Sequence, residues 1–228
     1  MAIKLTDRNK PWAVRKVTDK RVLKDYNIRN LFRIYCEGEN TEPEYFKSFP
    51  VTTETKIEAI GLGRSKTALV EKAVELFTKD RLLPGQDNFD HDRQLWVVFD
   101  FDVRGINREA MDYNRAIELA GQYGIRVAYS NDSFELWFVL HYQYHEAAVT
   151  RNEYYQILSE KLNCNYPEEG KTKEFSQSMY AIIIAHQAAA IQNAERLFKH
   201  MEDAVYSDQN PCTTVFKLVL ELNKCLRN

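Results

Sequence analysis

Glu37, Asp100, Asp102 and Glu135 each stand at or just beyond the end of a short apolar segment. Glu37 follows LFRIYC and opens a Glu-Gly turn, Asp100 and Asp102 close QLWVVFDFD, and Glu135 lies one turn into the segment that follows IRVAYS. Carboxylates gathered at one edge repel and raise one another's pKa, and a hard cation relieves both costs. Mg²⁺ or Mn²⁺ takes oxygen ligands and keeps waters for chemistry, so the set predicts a divalent-metal site. Asp100 and Asp102 are two apart, so on an extended strand end they point the same way. Each acid also has a structural alternative. Glu37 can solvate a turn, Asp100 can cap a loop, and Glu135 can complete a capping box begun at Asp132. His141 and His145 have i, i+4 spacing, but no HExxH or CxxC completes a zinc shell around them.

The elements that must position these acids alternate in type. LFRIYC (31–36) reads as a buried strand. A helix follows, with Thr41 as N-cap, Pro43 in the first turn, Glu44 closing a capping box, and Tyr45, Phe46 and Phe49 facing inward. KIEAIGLG (56–63) reads as a second strand, and Ser65 caps a helix carrying Leu69, Ala73, Leu76 and Phe77 at helical spacing. QLWVVFDFD (94–102) is apolar on both faces, as in a central strand covered by helices. A helix over 107–122 exits at Gly124, a fourth strand spans 125–130, and 134–144 reads as an apolar helix. Beyond residue 150 only helical periodicity remains, over 154–162, 179–201 and 213–226. The segment 163–177, with Pro167, Gly170 and several charges, reads as a linker or mobile loop. The fold class is therefore α/β, a Toprim- or Rossmann-like, mostly parallel sheet flanked by helices, with a helical C-terminal extension. The expected parts are a basic arm over 1–30, an α/β core over 31–148 and a helical part over 149–228 packed on it. Ligands of such sheets collect outside the carboxyl ends of the strands, where the acids fall.

Composition narrows the class. With 228 residues, 44% hydrophobic and 28% charged, the chain is an ordinary globular protein. No apolar run is long enough to span a membrane and the first residues are too polar for a signal peptide, so a cytoplasmic protein is expected. Cys36, Cys164, Cys212 and Cys225 show no CxxC spacing, which argues against a disulfide scaffold or zinc ribbon. The net charge of −2 gives no overall attraction to nucleic acid, so any such binding is local. Residues 1–30 hold nine basic residues against three aspartates, a net +6.

VVFDFDV resembles the haloacid dehalogenase signature, in which Asp100 would be a phosphatase nucleophile, but two β-α units precede it and no GDxxxD-like motif follows. A receiver domain would need an acidic pair after the first strand and a Lys-bearing fifth strand. Glu-Gly after the first strand and Asp-x-Asp after the third resembles a Toprim metal site. The longer segments RIYCEGENTEPEYFKSF, GLGRSKTALVEKAVE, LWVVFDFD, AYSNDSFELWFVLHY and NPCTTVFKLVLEL resemble the RloB family, in that order, from about residue 31 to 226. The chain departs from that pattern at Phe216, where the family usually has His, and at Asp132-Ser133.

That resemblance implies a Toprim-type nuclease of bacterial abortive-infection and restriction-linked loci. It implies that Glu37, Asp100 and Asp102, with Glu42 as the second family glutamate, hold Mg²⁺ or Mn²⁺, and that Glu135 is a further site acid. The substrate would be DNA or tRNA or other RNA, the partner an AAA- or ABC-type ATPase encoded nearby, and a homodimer is compatible. Arg64, Lys66, Arg104 and Arg108, at or past strand ends, are candidates for phosphate contacts. Lys171 or Lys173 would approach the scissile phosphate from the loop, with Lys173 the expected catalytic residue. The alternative is a non-catalytic adaptor or effector-binding subunit docking on the ATPase.

Overall fold

Phe32, Ile34 and Cys36 alternate with Leu31 and Tyr35 along β1 (Asn30–Cys36), and both sets are buried, on opposite faces of the sheet. The computed structural model describes residues 28–85, 92–101 and 108–227. Asp102 and Arg104, and nearly all of the basic arm, lie outside them. Within them β1 is followed by α1 (Thr41–Lys47), β2 (Thr55–Gly61), α2 (Lys66–Lys79), β3 (Asp92–Phe101), α3 (Arg108–Gln122) and β4 (Arg126–Asn131). The remainder comprises α4 (Glu135–Val139), α5 (Arg151–Leu162), α6 (Lys173–Ile183), α7 (Gln187–Met201), β5 (Cys212–Thr213) and α8 (Val215–Asn223).

The five strands form one sheet in the order β2-β1-β3-β4-β5. The first four are parallel and β5 pairs antiparallel to β4. The architecture is thus α/β with a mostly parallel sheet. Leu69, Ala73 and Phe77 of α2 and Tyr113, Ala116 and Ala120 of α3 cover one face, together with Leu95, Val97 and Phe99 of β3. The other face packs Trp96, Val98 and Ala128 against α1, α4 and the C-terminal helices in a single core. Continuous apolar strands are the consequence of this double covering.

The C-terminal helices are tied to the sheet at several points. The Thr214 N–H donates to the Tyr129 carbonyl at 2.8 Å, and the Tyr129 N–H donates to Thr214 Oγ1 at 2.9 Å. At the far end Thr52 N–H donates to the Cys225 carbonyl at 2.8 Å. Gln177 Nε2 donates to Glu44 Oε2 at 2.8 Å, which joins α6 to α1.

Several local expectations are corrected. Asn40, not Thr41, precedes the first helix, and no side-chain cap forms there. The Glu44 carboxylate is drawn instead to Lys47 and Gln177, so the capping box is absent. The apolar segment 134–144 is helical only to Val139. The following Leu140 carbonyl accepts from Asn193 Nδ2 at 2.9 Å, a partner from α7 that replaces a helical one. The segment 163–177 is no linker: Asn163 takes a left-handed φ of 52°, Tyr166–Gly170 form a π-turn, and α6 begins at Lys173. Tyr166 is fully buried and anchors that turn. The two-residue β5 falls within a region read as wholly helical, because a strand so short leaves no periodicity to detect.

Two loops at the carboxyl ends of β1 and β2 touch through glycine. A Cβ on Gly61 would lie 2.4 Å from the Gly38 carbonyl oxygen and 2.5 Å from Glu39 Cα, both backbone atoms. Gly61→Ala is therefore expected to cost about 1–3 kcal/mol in a urea titration. A variant as stable as the wild type would show that these loops part freely.

Candidate functional site

The sheet's connections set the site. The chain moves from β1 outward to β2, then crosses back past β1 to β3, so the crossovers diverge between β1 and β3. A crevice opens at the carboxyl ends of strands on either side of such a switch point. Glu37 leaves β1 there and Asp100 stands at the end of β3, brought together by the pairing of Cys36 with Val98. The Asp100 N–H donates to Glu37 Oε2 at 3.3 Å.

Two more acids join them. Glu42, buried in α1, accepts the Gly38 N–H on Oε1 at 3.2 Å. Glu135, at the first residue of α4 and 1% exposed, is paired through Oε1 with the Lys171 ammonium. The Lys171 Nζ also lies 5.0 Å from the centre of the Tyr155 ring. At the rim, the Arg151 N–H donates to Asp132 Oδ2 at 2.7 Å. Glu37, Glu39, Glu42, Asp100, Arg151 and Lys171 line a cavity of about 300 Å³. A larger groove of about 850 Å³, lined by Trp96, Arg126, Lys217 and Leu220, lies along the early residues of β3 and β4 and holds none of these acids.

The electrostatics follow from burial. The Asp100 carboxyl is raised well above its usual range by burial first and then by Glu42, Glu135 and Glu37, against which the Phe134 backbone N–H pulls only weakly. Its Oδ1 is sealed from solvent and accepts no hydrogen bond. Glu42 is pushed up to about 7 by burial, with the Glu135 charge adding to it. Burial opposes the Lys171 ammonium, yet the neighbouring Glu135 and Tyr155 outweigh it and raise its pKa.

An acid with a raised folded pKa stabilises the fold below its unfolded pKa and loses that contribution as pH rises through the folded value. For Glu42 the window runs from 4.5 to about 7, and Asp100 acts in the same sense. Without divalent ions, stability is expected to fall from about pH 5 to about pH 8, Glu42 contributing on the order of 2–3 kcal/mol. Thermal melts in EDTA check this, and Glu42→Gln should flatten the profile. A wild-type melting temperature that rises over that range contradicts the assignment.

The expected residues are distributed as follows. Glu37, Glu42, Asp100 and Glu135 converge. Lys173 does not join them: its Nζ lies 3.9 Å from Glu44 Oε1, and the lysine that reaches the acids is Lys171. Arg64 is exposed between β2 and α2, Lys66 is buried at the start of α2, and Arg108 is exposed at the start of α3. His141 Nδ1 is 2.9 Å from the Trp137 carbonyl, and burial lowers its pKa to about 4. Arg151 carries no motif and was not legible as a site residue.

The donors suit a hard divalent cation: all are carboxylate oxygens, and Asp100 Oδ1 is a buried acceptor awaiting a partner. Among the described residues no three His, Cys, Asp or Glu side chains already surround one point.

Fold and site together define an α/β protein with a carboxylate-lined crevice at the switch point of its sheet. The chain belongs to the RloB-like protein family, whose model matches residues 32–222. No curated protein and no solved structure matches it. No described helix is long and apolar enough to cross a membrane.

Proposed function

We propose that the chain is a Toprim-type, Mg²⁺- or Mn²⁺-dependent endonuclease that hydrolyses phosphodiester bonds of DNA or RNA. The observation that carries this reading is the buried, unpartnered Asp100 Oδ1 beside Glu37, at the crevice the topology creates. Glu37 and Asp100, with Asp102 of the same DxD motif, are the residues that hold the ion. When bound, it lowers the pKa of a water and stabilises the charge of the phosphate under attack.

The chain's own groups supply the rest. Arg151 and Lys171 on the cavity wall place positive charge where non-bridging phosphate oxygens must lie. Glu42, titrating near neutrality, is matched to move a proton to or from a reacting oxygen. Exposed Arg64, in the loop before α2, and exposed Arg108, at the start of α3, are further groups that a backbone phosphate can meet. The family assignment further supports a role as effector of an abortive-infection system, coupled to an ATPase partner.

The test is incubation of the purified chain with plasmid DNA and with bulk tRNA, in Mg²⁺, Mn²⁺ or EDTA. Metal-dependent cleavage of either establishes the reading and its substrate. If there is neither cleavage nor metal-dependent thermal stabilisation, the adaptor reading takes its place.

A further inference from the structure

The larger groove owes its existence to the shortness of β5. That strand pairs with Ser130 and Asn131, at the end of β4. Among the described residues no strand lies beside Arg126 and Val127, at the start of β4, on that edge. α8 runs beside them instead, and the gap between helix and strand is the groove of about 850 Å³. A volume of that order accepts a small organic molecule. Its apolar lining is Trp96, Val127 and Leu220, the last 37% exposed. Trp96 lies four residues before Asp100 on β3, about 13 Å along a strand, so this groove is separate from the carboxylate crevice.

The charges around the groove are unequally satisfied. Arg126 Nη1 donates to Gln94 Oε1 at 3.1 Å and lies 3.5 Å from Glu221 Oε1. Glu221 Oε2 in turn accepts from Lys224 Nζ at 2.9 Å and from Gln94 Nε2 at 3.0 Å. That end is a closed network, in which one carboxylate serves two cations. Lys217, on the same side of α8 as Leu220 and Glu221, has no such partner: among the described residues no oxygen accepts from its ammonium, which lies 3.6 Å from the centre of the Phe198 ring and 5.9 Å from that of Phe216. An aromatic face attracts the charge but leaves the N–H donors without an oxygen acceptor. The side chain is half-buried, and burial lowers its pKa, which Cys212 and Glu202 offset only in part.

We propose that this groove binds a small amphipathic anion, its carboxylate, sulfonate or phosphate on Lys217 and its apolar body on Trp96, Val127 and Leu220. An uncharged ligand of the same shape would cover the ammonium and leave it unpaired. An anion pairs it where water is partly excluded and the attraction is stronger than in bulk solvent. The site stands apart from the metal reading and does not depend on it.

Anilinonaphthalene sulfonate and its uncharged counterpart phenylnaphthylamine, titrated by fluorescence against the full-length chain, test this. One saturable sulfonate site per chain is expected, at least about tenfold tighter than that for the neutral probe, as a charge-assisted bond should give. Lys217→Met should remove that advantage and leave the neutral probe unchanged, and Lys217→Arg should keep it. Lys224→Met, whose cation already has Glu221, should alter neither. Equal affinity of the two probes for the wild type, no saturable sulfonate site, or undiminished sulfonate binding by folded Lys217→Met would each overturn the proposal. An equal loss in Lys224→Met would reduce the effect to diffuse charge and refute the Lys217 contact. The comparison of the two probes on the wild type decides the matter where Lys217→Met fails to fold.

Discussion

Asp100→Asn is expected to leave the fold intact and to abolish metal-dependent cleavage. The substitution removes one charge and keeps the volume, so the local packing has no reason to change. The lost charge is the important one: Asp100 Oδ1 is the buried acceptor without a protein partner, and an amide there is a much poorer ligand for a hard cation. Loss of even an outer-shell partner of a metal site costs about 10–100-fold, so removal of a ligand should cost at least a hundredfold in rate. A second readout does not require activity. An ion at a hundred times its dissociation constant stabilises the wild type by about 2.7 kcal/mol, and that increment should vanish in the variant. In EDTA at neutral pH, Asp100→Asn should be no less stable than the wild type, because Glu37, Glu42 and Glu135 repel the carboxylate it removes. Undiminished cleavage, or an undiminished metal increment, would exclude Asp100 as a ligand.

Trp137→Ala should give the largest loss of stability. Trp137 is fully buried on α4, and its Nε1 donates to the Tyr45 hydroxyl at 2.9 Å. Tyr45 in turn makes edge contacts with Phe46, Phe49 and Phe138. Truncation empties the junction of α1, α4 and the C-terminal helices, for about 3–5 kcal/mol. In a chain of this size that lowers the melting temperature by on the order of 10 °C. Trp137→Phe, which keeps a ring but no donor, should lose less. The site should respond as well, since Glu135 begins the same short helix and holds Lys171. A urea titration giving a loss under about 1 kcal/mol would show that this junction repacks.

The strands and helices of the α/β half follow from local pattern. The apolar runs at β1, β3 and β4 needed no knowledge of neighbours, because a strand buried on both faces carries its apolar character residue by residue. Gly124, with a φ of 67°, marks the exit of α3 as its residue type predicts. Glu37 and Asp100 were legible because each directly ends such a run. The limits of the C-terminal half were harder to read. The stop of α4 at Val139 depends on Asn193, and the order of the 163–177 segment depends on burial of Tyr166, both long-range effects.

By itself, then, the sequence determined the parallel α/β framework, the family and the acids at the ends of two strands, since these depend on residue type and on spacing within one element. Only the tertiary structure decided that Lys171 rather than Lys173 faces Glu135. The two lysines are two residues apart, and the turn between them sends one to the crevice and the other to Glu44. It alone brought Arg151 to the rim and left Asp100 Oδ1 buried without a hydrogen-bond partner. Those distinctions rest on contacts between residues tens of positions apart, such as the 63 between Asp100 and Glu37, and no periodicity within a single helix or strand encodes a meeting at that distance.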